Sequence, residues 1–176
     1  MLIQAPLINF AITGALFTVI LGLRRNGASA AVIGGVLAVI MLGGVVGAVL
    51  APRIRSRMTV LRAILLLSVS GAMLMLLAAA VMPSPAVAVP LALPFLVAPA
   101  ANAALFAIVL RRTPAATHGR VNAGLLQVAG ALSAVAPLIS GLVVDKASAG
   151  WALVLFAAAL AVVVPIALLL PAAEAA

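Results

Sequence analysis

The sequence predicts an all-α integral membrane protein, with six membrane-spanning helices in one domain covering residues 1–176. Hydrophobic residues make up 68% of the chain and charged residues only 7%, whereas soluble domains carry about 25% charged residues. Such a chain cannot cover its surface with polar groups, so its solvent must be lipid. Six apolar runs reach the roughly 20 residues that a helix needs to cross a bilayer, and the basic residues lie between these runs, which is typical of membrane loops.

Short turns rich in Gly, Pro or charged residues separate the six runs. The spans are predicted at about 2–23, 29–51, 58–82, 86–110, 121–144 and 151–170. The first run is longer than the apolar core of a secretory signal and lacks its basic start, so it is expected to be a retained span. Ser29 is a good N-cap for the second span, and Pro52 is expected to end that span.

The distribution of basic residues predicts the orientation of the spans. The even-numbered loops hold seven basic residues if Arg62 is included, and the odd-numbered loops hold three. Because positively charged loops remain in the cytoplasm, the second and fourth loops and both termini are expected on the cytoplasmic side of the cell membrane. Trp151 then lies at the outer interface, where aromatic belt residues are common.

A short repeated motif indicates that the six spans form two related units. The segment LRRNGA at 23–28 and the segment LRRTPA at 110–115 each end a span and precede a Gly-rich span. Three spans followed by three similar spans of opposite orientation would form an inverted repeat, which is a common architecture among secondary transporters. We therefore expect spans one to three and four to six to be two inverted three-helix repeats.

Several polar side chains lie within the predicted spans. The candidates for lining a transport pathway are Asn9, Thr13, Asn102, Gln127 and Ser133. Polar groups in hydrocarbon are expected to face the protein interior or water. For the three amides, a pathway and simple interhelical hydrogen bonding are both open. For the hydroxyl side chains, bonding to their own helix is the favoured alternative. The spacing of Gly43 and Gly47 also predicts a close helix–helix approach.

The composition argues against several other functions. The chain contains no cysteine, one histidine and two acidic residues. No cofactor and no metal site are therefore expected, and no residue set for hydrolytic catalysis is evident. The chain lacks a Gly-rich phosphate-binding loop with a lysine. We expect neither an enzyme nor a nucleic-acid-binding protein, although the net charge is +8.

Two loop segments resemble those of major facilitator superfamily transporters. The segment TPAATHGRVNAGLLQ (113–127) resembles the loop and helix start between the tenth and eleventh helices of that family, with Pro114, Gly119 and Arg120 in matching places. The segment GGVVGAVLAPRIRSRM (43–58) resembles the basic turn between the eighth and ninth helices, and it contains Arg53, Arg55 and Arg57. The fuller family signature has an Asp before the first Arg, where this chain has Pro52.

This resemblance is closest to bacterial drug and siderophore exporters, and it covers only their second six-helix half. It implies small-molecule efflux by alternating access, with the first, second, fourth and fifth helices of the half lining the pathway. It also implies a missing N-terminal half or a homodimer partner. A truncated membrane fragment that transports nothing, or an assembly subunit, is the alternative. Substrate, coupling ion and direction of transport are left open by the sequence.

Two residues of the fourth loop have open roles. By the resemblance, Arg120 contacts the inner gate region or anionic headgroups, since a guanidinium at a helix N-terminus gains nothing from the helix dipole. His118 is expected to be a solvated loop residue, with a pH sensor as the less favoured alternative.

Overall fold

The computed structural model describes residues 4–114 and 117–169, without the side chains at 55, 104, 105, 108–112 and 125. The described residues form six long helices and one short 3-10 turn at Pro85–Val87. The helices are α1 (Gln4–Arg25), α2 (Ala30–Arg57), α3 (Val60–Val81), α4 (Ala88–Arg112), α5 (His118–Lys146) and α6 (Ala149–Leu169). All six are long and apolar enough to cross a membrane, which indicates a multi-pass membrane protein.

The helix ends agree with the sequence at some positions and not at others. Ser29 is the N-cap of α2, and its hydroxyl accepts a hydrogen bond from the Val32 amide at 3.3 Å. The expectation that Pro52 ends the second span is wrong, because α2 continues through it to Arg57. Proline has a helical φ and removes one intrahelical hydrogen bond, so a long membrane helix can continue through it. Helix α5 begins at His118, three residues before the predicted span.

The main helix contacts follow a simple order. Helix α5 packs on α1, α1 on α6, α6 on α3, α3 on α4, and α4 on α2. Smaller contacts join α5 to α6 and α1 to α2. The order α5–α1–α6–α3–α4–α2 therefore leaves α5 and α2 at the two ends of the series.

Glycines allow α2 and α4 to approach closely. A Cβ atom on Gly43 would lie 2.3 Å from the Ala92 carbonyl oxygen, and one on Gly47 would lie 2.6 Å from the Phe95 and Leu96 carbonyl oxygens. Both distances are shorter than any real carbon–oxygen contact, so only glycine fits. The register advances together along both helices, so α2 and α4 run parallel. The predicted close approach at Gly43 and Gly47 is thus confirmed.

The centre of the bundle is built around Gly14 of α1. The Phe156 ring of α6 fills the space that a Cβ atom on Gly14 would need, since that atom would lie 2.1 Å from the ring. The same ring meets Phe10 edge-on, with 5.3 Å between the ring centroids. Phe156 is fully buried. A glycine on α1 therefore accommodates the largest fully buried side chain of α6.

The helices differ strongly in how much of their surface the chain itself covers. In the most apolar 18-residue stretch of each helix, half of the α1 residues are buried, but only 22% of those in α2 and 17% of those in α5. These two helices lie at the ends of the packing series, where each has one main neighbour. Their remaining faces are left for lipid or for another protein.

Candidate transport pathway

The two predicted pathway residues of α1 are half-buried. Asn9 donates a hydrogen bond from its side-chain amide nitrogen to the Ala5 carbonyl at 3.0 Å, one turn earlier in the same helix. Thr13 lies one turn further along and is also half-buried. Asn9 thus satisfies part of its hydrogen-bonding capacity locally, and its amide oxygen remains an acceptor.

The two other predicted amides lie on the surface of the chain. Asn102 of α4 and Gln127 of α5 are both exposed. Because an exposed amide in hydrocarbon would leave its donors and acceptors unpaired, at several kcal/mol per group, these two residues demand a polar neighbour or water. Neither amide is paired with Asn9 in the part of the chain that the structure describes.

The register of α1 and α5 fixes the relative depth of the amides. The Ser140 hydroxyl donates to the Gly14 carbonyl at 3.0 Å, so these residues lie side by side. Gln127 precedes Ser140 by 13 residues and Asn9 precedes Gly14 by five, which places Gln127 about 12 Å further along the bundle axis at 1.5 Å per residue. Both are displaced towards the end where α1 and α5 begin.

The serines of α5 divide into two kinds. The Ser133 hydroxyl donates to the Ala129 carbonyl of its own helix at 2.8 Å. The buried Ser140 hydroxyl is close enough to donate to both the Ala136 carbonyl at 2.9 Å and Gly14 of α1. Ser140 was not among the predicted site residues. Ser140 thus reaches the neighbouring helix α1 as well as its own helix, whereas bonding within the same helix was expected for the hydroxyl side chains.

One end of the bundle carries most of the basic residues. We call it the arginine-rich end: α2 ends there, α3 begins, α4 ends and α5 begins. Arg53, Arg57, Arg62 and Arg120 are exposed at this end. The side chain of Arg55 lies outside the described residues. Of the two acidic residues of the chain, Asp145 lies at the opposite end of the bundle and Glu174 lies outside the described residues. None of the described acids therefore neutralises these arginines.

The turn between α4 and α5 forms part of the arginine-rich end. Pro114 and Gly119 are exposed, and the Pro114 carbonyl accepts hydrogen bonds from the Thr117 amide and hydroxyl. A ring nitrogen of His118 lies 2.7 Å from the Thr113 carbonyl. His118 is therefore the first residue of α5 and is half-buried, rather than a freely solvated loop residue.

At the opposite end, an ion pair joins the ends of α1 and α5. The Arg25 guanidinium contacts the Asp145 carboxylate and donates a second hydrogen bond to the Val144 carbonyl at 2.5 Å. Both charged side chains are more than half exposed. The pair borders an open cleft lined mainly by apolar residues of α1 and α5, among them Leu21 and Leu138. No sequence pattern predicts this pairing, since the two residues are 120 positions apart.

Sequence reasoning also missed several interior polar groups. The side-chain oxygens of Gln4, Thr18 and Ser68 are buried without a hydrogen-bond partner, as is the amide oxygen of Asn122. Gln4 is an amide in the first span just as Asn9 is, so the same reasoning could have included it. The other three were hidden among Ser, Thr and Asn residues whose burial depends on helix rotation.

No group of three or more acidic or histidine side chains that could hold a metal ion occurs within residues 4–114 and 117–169. The chain matches no protein-family model, no curated protein and no solved structure.

Proposed function

We propose that the chain is one six-helix half of a secondary transporter that moves a small amphipathic molecule by alternating access. The main support for this proposal is that α5 is polar but is only slightly buried by the other helices. This helix contains Asn122, Gln127, Ser133 and Ser140, yet its apolar 18-residue stretch is the least buried among the corresponding stretches of the six helices, as far as the structure describes them. A polar helix at the edge of a membrane bundle is stable only against water or another polar protein surface.

The helix order supports an inverted-repeat architecture for this half. Exchanging α1 with α4, α2 with α5 and α3 with α6 turns the series α5–α1–α6–α3–α4–α2 into its own reverse, so every main contact is retained. An approximate two-fold axis between α3 and α6 would produce this pattern. Secondary transporters built from such repeats hold their substrate near the repeat interface.

The resemblance of the two loop segments to the major facilitator superfamily is compatible with this proposal. In that family a second six-helix unit completes the pathway. Here the second unit would lie against the free face of α5, whose large exposed residues include Leu126 and Leu138. The unit can be supplied by the same polypeptide, by another chain or by a second copy.

We further propose that the arginine-rich end faces the cytoplasm of a bacterial cell, because positive loops are retained there. The chain is free of cysteine, so single cysteines introduced at Ser56 and Thr117 report this directly. Both should react with an impermeant thiol reagent only after the cells are opened. Labelling from outside intact cells would reverse the orientation.

The transport proposal is tested by flux across vesicles that contain the protein. Fluorescent amphipathic cations should move faster than in protein-free vesicles when an ion gradient is applied. The variants Asn102→Leu and Gln127→Leu should abolish this extra flux, whereas Val162→Leu on the exposed face of α6 should retain it. An absence of extra flux in the unmodified protein, supplied with its full complement of chains, would favour the non-transporting fragment.

A further inference from the structure

We propose that the turn between α2 and α3 binds the phosphate of an anionic phospholipid. Arg53 and Arg57 end α2, and Arg62 lies in the first turn of α3. All three side chains are exposed. This assignment depends on membrane insertion and is independent of whether the protein transports anything.

The length of α2 brings its arginines to the depth of the lipid headgroups. The helix has 28 residues, about 42 Å at 1.5 Å per residue, while the hydrocarbon core is only about 30 Å thick. The excess corresponds to about two turns. Since the helix continues through Pro52, Arg53 and Arg57 lie one turn apart on the same face, where headgroup phosphates are found.

The electrostatics of the turn favour an anion. Thr59 caps α3 by accepting a hydrogen bond from the Arg62 amide at 3.3 Å. The first turn of α3 contains no acidic residue, so Arg62 adds positive charge where the helix dipole is already positive. The arginines of the arginine-rich end number seven, namely Arg53, Arg55, Arg57, Arg62, Arg111, Arg112 and Arg120. Counting Glu174 against them still leaves six positive charges in excess.

The apolar residues beside the arginines favour a lipid over a soluble anion. On α2, Val45 and Val49 precede Arg53 at helical spacing on the same face, and their exposures are 61% and 68%. On α3, the exposed Leu66 follows Arg62 by one turn. Each helix thus presents an apolar stripe that ends in arginine, which matches acyl chains below a phosphate group.

The opposite end offers no such site. There Arg25 is neutralised by Asp145, and only Arg24 and Lys146 of the remaining basic residues lie near it. These two exposed side chains provide a matched control. Removing them lowers the net charge of the protein by the same amount as removing Arg53 and Arg57.

The test uses the purified full chain in neutral detergent, with phosphatidylglycerol or phosphatidylcholine added in steps. Thermal unfolding and the lipids retained in native mass spectrometry are both recorded. Phosphatidylglycerol should stabilise the protein and phosphatidylcholine should not. Because each basic side chain near an anionic surface strengthens association roughly fivefold, Arg53→Gln with Arg57→Gln should raise the half-saturating phosphatidylglycerol fraction by about 25-fold.

The double variant Arg24→Gln with Lys146→Gln should shift this fraction less than twofold. The charge-conserving variant Arg53→Lys with Arg57→Lys should retain most of the response, which shows that substitution at these positions leaves the fold intact. Equal stabilisation by the two lipids, or equal loss in both neutral double variants, would overturn the site. Equal stabilisation by inorganic phosphate without lipid would assign it to a free anion, and preferential retention of an acidic protein would assign it to a protein partner.

Discussion

Helices α5 and α6 are neighbours in sequence and in space, but they differ in polarity and in how much of their surface the chain buries. Helix α6 has no polar side chain other than the indole of Trp151, and 39% of its most apolar stretch is buried within the chain. Helix α5 carries four amide or hydroxyl side chains, and only 17% of its stretch is buried. Lipid can cover the exposed part of α6 at no cost. The exposed part of α5 contains Gln127, which requires water or a polar protein surface instead of lipid.

This difference indicates that α6 contributes mainly to packing, whereas the exposed face of α5 is available for function. Helix α6 and its partners α1 and α3 form the interior that holds the six helices together. Helices α5 and α2 are each attached to that interior by one main neighbour. Substitutions in the interior should therefore change stability, whereas substitutions on the free face of α5 should change activity.

The largest effect is expected from Phe156→Ala. The ring is fully buried between Phe10 and Gly14, and its removal leaves a cavity between them. Loss of a buried aromatic side chain costs about 3–5 kcal/mol. Denaturant or thermal unfolding in detergent measures the change. Leu138→Ala is the control, because Leu138 of α5 is 64% exposed. Its free energy of unfolding should change by no more than about 0.5 kcal/mol. Equal losses would end the distinction between the two helices.

The next effect concerns the attachment of α2. A methyl group introduced by Gly43→Ala would lie 2.3 Å from the Ala92 carbonyl oxygen of α4. The backbone cannot yield cheaply, so we expect a loss of about 1–3 kcal/mol. Gly34→Ala in the same helix meets nothing within 4 Å and should gain up to about 1 kcal/mol from helix propensity. Identical unfolding midpoints for the two variants would contradict the close approach.

The attachment of α5 depends on a weaker interaction. Ser140→Ala removes the hydroxyl that donates to Gly14 of α1, and interhelical hydrogen bonds of this kind contribute about 0.6 kcal/mol. Ser133→Ala removes a hydroxyl that bonds only to its own helix and should leave stability unchanged. The pair is compared by thermal unfolding. A larger loss at Ser133 than at Ser140 would reverse the assignment.

The sequence predicted the six helices because apolar length alone determines a membrane span. It also predicted the contact at Gly43 and Gly47, since four-residue spacing places both on one face. It could not predict that Phe156 lies against Gly14, because the rotation of α1 and α6 depends on packing across many residues. The exposure of Gln127 was hidden for the same reason. Polarity indicates that a residue needs a partner, but only packing shows whether its own chain supplies one.

The smallest effect is expected at the end opposite the arginines. Asp145→Asn breaks the pair with Arg25, but both side chains are more than half exposed. Solvent screening limits such pairs to about 0.2–1 kcal/mol, and salt weakens them further. The stability difference from the unmodified protein should be measurable at low salt and vanish at high salt. Lys146→Gln should show no such dependence. Equal stability of Asp145→Asn and the unmodified protein at low salt would mean that the hydrogen bond from Arg25 to the Val144 carbonyl carries the contact instead.

The proposed function requires that water or a polar partner, and not lipid, covers the exposed amides of Asn102 and Gln127. The direct measurement is the reaction of single cysteines with a small water-soluble maleimide in native membranes. Asn102→Cys and Gln127→Cys should react, because a thiol ionises only where water reaches it. Val162→Cys is the control, since Val162 is 50% exposed on α6 and lies seven residues before the end of that helix, away from the membrane interface. It should remain unreactive. The reagent is used in an excess that labels the unfolded protein fully. If the thiols at both amide positions remain unreactive under this condition, these side chains lie against lipid and the proposed function is wrong.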